Sequence, residues 1–304
     1  MPVGKNLGKV NMKRKIYDKL LQWKNDKDGT TALMIEGARR IGKSYIAERF
    51  AEKEYESYIL IDFSKAPARV RGWFDEYLED IDTLLQNIQL HYKKKLTPRK
   101  SLIIFDEVQK CPRAREAIKA LVEDHRFDYI ETGSLISIKK NVDDILIPSE
   151  EDGIEMYPMD FEEFMWAMGD EVMYPYIRKC FETNKPMGDF HREAMRYFRQ
   201  YLIVGGMPQA VKEYVNSKDF NKVDAIKRQI LRLYRNDIKK YAGSAKTKVA
   251  SIFEAIPGQL QKNEKKFKLA DLNDEARMRD YDSAFFWLND ARLANICYNT
   301  TAPN

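Results

Sequence analysis

Apolar positions along this chain fall into two regimes. Up to about residue 157, short apolar runs alternate with stretches of helical spacing. Ala32-Leu33-Met34-Ile35, Tyr58-Ile59-Leu60-Ile61-Asp62-Phe63, Leu102-Ile103-Ile104-Phe105, Tyr129-Ile130 and Ile154-Glu155-Met156-Tyr157 read as strands. Leu102 to Phe105 is apolar without interruption, as a strand buried on both faces requires. Helices are predicted over 11–25, where Ile16, Leu20, Leu21 and Trp23 share one side, from Tyr45 to Phe50, and over 71–92. Asn25-Asp26 and Asp28-Gly29 mark a turn after the first of these. Strands alternating with helices predict a parallel sheet with right-handed crossovers. After Pro158 the spacing is helical: Phe190, Ala194, Tyr197, Phe198 and Tyr201 form one stripe, and Val223, Ile226, Ile230, Leu233 and Tyr234 another. Gly205-Gly206-Met207-Pro208 breaks the chain between them. Val249, Ile252, Phe253 and Ile256, then Leu269 to Leu272, then Tyr281, Phe285, Leu288 and Ala291 mark three more helices. Three helices of this size fit a helix-turn-helix or winged-helix unit.

Composition narrows the class. The 304 residues suffice for two or three compact units, and 44% hydrophobic with 33% charged residues suits a soluble protein with a core. A net charge of +5, from 52 basic and 47 acidic residues, permits contact with a polyanion without demanding it. Cys111, Cys180 and Cys297 form no C-x-x-C, which argues against a disulfide scaffold or structural zinc and fits a reducing cytoplasm. The basic N-terminus MPVGKNLGKVNMKRK lacks the apolar core of a signal peptide. No apolar run approaches the ~20 residues needed to span a bilayer, so a cytoplasmic location without membrane contact is expected. His91, His125 and His191 show no metal-ligand spacing. Lys93-Lys94-Lys95 with Pro98-Arg99-Lys100 reads as a solvated connector, a polyanion contact being the alternative.

The chemistry concentrates in Gly37-Ala38-Arg39-Arg40-Ile41-Gly42-Lys43-Ser44, which fits G-x-x-x-x-G-K-[ST] between a strand and a helix. Glycines let the backbone turn tightly enough for several N–H groups to face one anion, and the helix start adds a positive dipole end. Candidate nucleotide contacts are Gly37 to Ser44 and Tyr45. Lys43 would reach the β- and γ-phosphates of ATP, and the Ser44 hydroxyl would ligate Mg2+. The Leu102–Phe105 strand ends in Asp106-Glu107. Asp106 there can hold Mg2+, and Glu107 can orient or deprotonate the attacking water, which favours hydrolysis over a kinase reaction. The next strand ends Glu131-Thr132-Gly133-Ser134, and Thr132 and Ser134 are both candidates to sense the γ-phosphate.

Several segments resemble one family. GARRIGKSYIAERF, LIIFDEVQKCPRA, ETGSLISI, YPMDFEEF (Tyr157 to Phe164) and YLIVGGMPQAV (Tyr201 to Val211) are similar to AAA-type, archaeal-ATPase-like P-loop ATPases of bacteria and archaea that carry an uncharacterised C-terminal domain. The resemblance runs from about residue 12 to the end. It implies an α/β P-loop NTPase core of the AAA/ASCE type, a parallel sheet flanked by helices, with the sensor strand between the P-loop strand and the Walker B strand. An all-α helical region and a winged-helix-like module follow. The expected units are 1–165, 166–245 and 246–304. By position, Lys43 and Ser44 bind phosphate and Mg2+, Asp106 holds Mg2+, Glu107 is the catalytic acid, and the sensor is Thr132 or Ser134. Two departures stand out. No arginine occurs between Phe127 and Ile177, where ring-forming relatives place an arginine finger; Lys139 and Lys140 are the nearby cations, with Arg113 and Arg115 as weaker candidates. The family's nuclease-like module has no counterpart before Asn304, so the last unit is expected to be shortened.

The last predicted helix carries Asp280, Asp282 and Asp290 beside Phe285, Phe286 and Trp287, which suits packing or protein contact better than DNA. Arg277, Arg279 and the Lys262, Lys265, Lys266 and Lys268 cluster keep a backbone contact open. The leading expectation is an ATPase that hydrolyses ATP to ADP as a slow or partner-activated switch, with a protein partner or self-association. The alternatives are a nucleotide-gated interaction module without turnover and a DNA-associated helicase or translocase, which Asp106-Glu107-Val108-Gln109 brings to mind.

Overall fold

The computed structural model describes residues 12–134, 149–262, 266–274 and 277–297. Five parallel strands form one sheet in the order β2-β3-β4-β1-β5: β1 (Ala32–Glu36), β2 (Ser57–Asp62), β3 (Ser101–Asp106), β4 (Asp128–Gly133) and β5 (Glu151–Glu155). β4 thus lies between β1 and β3, the order that the resemblance implies. Alternation along each inner strand feeds two cores. Met34, Ile103, Phe105 and Tyr129 face α3 (Ala68–Glu76), α4 (Ile81–Tyr92), α5 (Pro112–Glu116) and α6 (Ile118–Glu123). Leu33, Ile35, Leu102, Ile104 and Ile130 face α1 (Ile16–Lys27) and α2 (Lys43–Glu54). Every residue of β3 and β4 is buried, so neither strand shows an apolar–polar rhythm.

Two predicted elements differ. The stretch 71–92 is two helices, because Asp80 accepts a bond from Thr83 N at 3.1 Å and caps a new start. The last strand is the acidic Glu151–Glu155 rather than Ile154–Tyr157. As an edge strand it needs no double apolar burial, and its polar sequence disguises it.

Beyond the sheet, α7 (Phe161–Ala167), α8 (Met173–Glu182), α9 (His191–Val204) and α10 (Pro208–Ser217) share a core around Phe164, Met165, Val204 and Tyr214. A capping box starts α7: Asp160 accepts from Glu163 N at 2.9 Å while Glu163 accepts from Asp160 N at 3.1 Å. The long α11 (Phe220–Tyr241) connects this core to a last one, where Ile238 packs with α12 (Lys246–Gln261) and α13 (Met278–Asp290). A 3-10 turn, Leu269–Asp271, lies between α12 and α13, and among the described residues no strand follows β5. Phe285 packs edge-on against Phe267, and Lys262 pairs with Asp271; Lys265 lies outside the described residues. Among the described residues, no helix is long and apolar enough to cross a membrane.

Candidate functional site

The phosphate loop runs from the end of β1 into α2. At Gly37, φ is +149°, and a Cβ would come within 2.2 Å of the Met156 carbonyl oxygen, so only glycine lets the strand end pass that close. Ala38 and Ile41 are buried and pin the loop, Gly42 occupies the N-cap of α2, and Arg40 and Tyr45 lie at the surface. Lys43 is buried, and its Nζ donates to the carbonyls of Gly37 at 3.0 Å and Ala38 at 2.9 Å. Burial pulls this ammonium down to about 8, against the opposing pull of the Glu107 and Asp106 carboxylates.

Three strand ends bring the other residues together. Ser44 Oγ and Thr132 Oγ1 both donate to Asp106 Oδ1, at 2.6 and 2.5 Å, and Glu107 N–H donates to Thr132 Oγ1 at 3.3 Å. Thr132 is therefore tied into the acidic pair, whereas Ser134 lines a cavity of about 370 Å³ beside Glu107. Ser44 and Asp106 offer hard oxygen donors side by side, a donor set that suits Mg2+. Glu107 has φ +55° and Arg40 φ +70°, left-handed conformations uncommon outside glycine. Gln109 Nε2 donates to Glu107 Oε2 at 2.5 Å and steadies it.

Behind Thr132 the sheet holds a buried acidic cluster. Arg115 forks onto Glu151 at 2.7 and 3.0 Å, and Glu131 lies beside them, fully buried, with neither oxygen in a well-formed hydrogen bond. Burial, then the Glu151 charge, pushes the Glu131 carboxyl well above its ordinary value. This removes Arg115 as a cation for a neighbouring molecule, since it is 3% exposed and committed to Glu151. Arg113 is half-exposed and pairs with Asp75 and Glu116. Lys139 and Lys140 lie outside the described residues.

Two contributions escape a reading of the sequence. Arg14, ahead of α1, is buried and reaches three segments: it donates to Glu163 Oε1 at 3.1 Å, the Ile41 carbonyl at 2.8 Å and the Tyr157 carbonyl at 2.5 Å. Nothing in the sequence around Arg14 signals this. The second is α11, which walls the cavity. Tyr234 Oη donates to the Arg39 carbonyl at 2.7 Å, and Arg39 Nη1 contacts both Asp237 oxygens at 2.8 and 3.0 Å. Lys110 Nζ donates to Tyr241 Oη at 3.0 Å. Here a signal existed: Asp237 falls on the apolar stripe of α11, between Tyr234 and Ile238, where a charge needs a partner.

Comparison with known proteins bears on the family and the fold. Residues 29–165 match a family described as an AAA domain, and residues 195–304 match a domain of unknown function (DUF8612). The Walker-type ATPase PABY2304 of Pyrococcus abyssi superposes with a TM-score of 0.55 at 15% identity, covering 92% of this chain and 90% of that one. AMPPCP-bound DnaA from Aquifex aeolicus gives a TM-score of 0.43 at 12% identity, covering 94% and 91%. No curated protein matches the sequence. The fold and the site define an AAA-type nucleotide-binding protein. Residues 29–165 belong to the AAA domain family and carry the P-loop, and a domain of unknown function lies behind them.

Proposed function

We propose that this chain binds ATP with Mg2+ and hydrolyses it to ADP and phosphate, working as a conformational switch in which the C-terminal region responds to the nucleotide. The observation that carries this reading is the Ser44–Asp106–Thr132 cluster with Glu107 one residue further on. Gly37 to Ser44 cradle the phosphates, Lys43 leaves the Gly37 and Ala38 carbonyls to meet them, and Tyr45 and Arg40 border the bound nucleotide. Ser44 and Asp106 hold Mg2+, which when bound offsets phosphate charge. Glu107 orients the attacking water and accepts its proton. Thr132 holds Asp106 and Glu107 in register, and Ser134, on the cavity wall, is the better placed of the two to sense the γ-phosphate. The switch follows from α11: a helix that bonds Arg39 inside the phosphate loop feels any movement of that loop. A protein partner or self-association, in the cytoplasm, remains the proposed setting.

Nucleotide binding and turnover are measured in the same preparation. Lys43→Ala is expected to weaken ATP binding by more than ~100-fold. Glu107→Gln is expected to keep binding and lose at least ~100-fold in turnover. Normal turnover by Glu107→Gln would sink the mechanism. Binding without turnover in the unaltered protein, with DNA or protein partners added, would favour the nucleotide-gated module. Stimulation by DNA would favour a translocase.

A further inference from the structure

Among the described residues, the cations on the cavity wall are Arg39, Lys110 and Lys240. The cavity is lined by Arg39, Glu107, Ser134, Tyr234, Asp237 and Lys240, among others, so it joins the reacting end of the proposed nucleotide site to α11. Among the described residues, Arg39 is the single arginine on that lining. It springs from the phosphate loop itself, two residues after Gly37, and its side chain stays 43% exposed. Its guanidinium is held by Asp237, a carboxylate only 12% exposed that belongs to the region of unknown function. The other two lining cations are engaged at Tyr241: Lys110 through the phenol oxygen and Lys240 over the ring, 5.1 Å from its centroid.

Phosphoryl transfer spreads charge over the γ-phosphate oxygens, and a guanidinium placed there accelerates it by about 10³–10⁵ where one exists. A guanidinium bound to a carboxylate is withheld from that task. Resting on the ATP-site reading above, we propose that Arg39 is this chain's own γ-phosphate cation and that Asp237 is the residue that withholds it. The contact described is then the restrained state of the site. ATP competes with Asp237 for Arg39, ADP does not, and whatever moves α11 off the loop frees the arginine. A neighbouring subunit need supply no finger.

The test uses the full chain. Asp237→Asn deletes the charge and keeps the shape; its kcat for ATP is expected to rise at least ~5-fold with little change in KM. Placed on Arg39→Ala, the same substitution is expected to change nothing. A purely structural ion pair predicts the opposite, a loss of activity from Asp237→Asn. Tyr234→Phe, which drops the bond to the Arg39 carbonyl, serves as a second variant with a smaller rise in the same direction. A readout independent of turnover comes from the Glu107→Gln background, where Asp237→Asn is expected to tighten ATP but not ADP by ~5-fold or more. Unchanged or lower kcat together with an unchanged ATP/ADP affinity ratio overturns the proposal. Normal turnover by Glu107→Gln would instead remove the mechanism assigned to Glu107, while the affinity ratio would still judge Arg39 and Asp237.

Discussion

Lys43 holds its ammonium among backbone carbonyls and two nearby carboxylates, in a pocket dry enough to bring it down to about 8. Phosphate oxygens favour the charged form, so binding ATP restores the proton that the free protein sheds above that value. The sign follows: affinity is level from pH 6.5 to 7.5 and falls above pH 8, by up to about tenfold per pH unit. Calorimetric titration with ATP at pH 7, 8 and 9 reads this directly, with proton uptake appearing only at the higher values. Lys43→Arg, which keeps its charge throughout, is expected to bind more weakly but without the slope. That Lys43, Ser44, Asp106 and Glu107 would stand close together was legible in the sequence, because each lies in a short motif whose geometry is local. The pairing of Arg39 was not: Asp237 on an apolar stripe signals that it needs a partner, but local spacing does not say which residue 198 positions away supplies it.

Elements were legible where burial was symmetrical and obscure where it was not. The run Leu102 to Phe105 declared β3, since both faces are packed; Glu151 to Glu155 concealed β5, since an edge strand tolerates charge. The resemblance segments YPMDFEEF and GGMP turn out to touch. Met159 N–H donates to the Gly206 carbonyl at 2.7 Å, Tyr201 Oη donates to the Met159 carbonyl at 2.9 Å, and a Cβ on Gly206 would sit 2.1 Å from that same carbonyl oxygen. The two segments form one joint between the strand-rich core and the helices that follow. Gly206→Ala is expected to lower stability by about 1–3 kcal/mol, since backbone must give way, read as a lower urea midpoint.

At the scale of the molecule, the parallel sheet and the helical second half were both foreseeable, but their attachment was not. Arg14 fastens the approach to α1 onto the phosphate loop and onto Glu163 in α7 with both partners 5% exposed. Removing one member of such a pair strands the other charge in a dry place. Arg14→Met is expected to cost about 3–5 kcal/mol in urea unfolding, and adding Glu163→Gln is expected to recover much of that loss. The contact between Arg39 and Asp237 has a consequence in time as well as in space. The chain is made from its N-terminus, and at about 5–20 residues per second the 198 residues separating the two take on the order of 10–40 s to synthesise. The sheet core can fold in that interval, so a chain still on the ribosome presents its phosphate loop to cellular nucleotide before the helix that will lean on it exists.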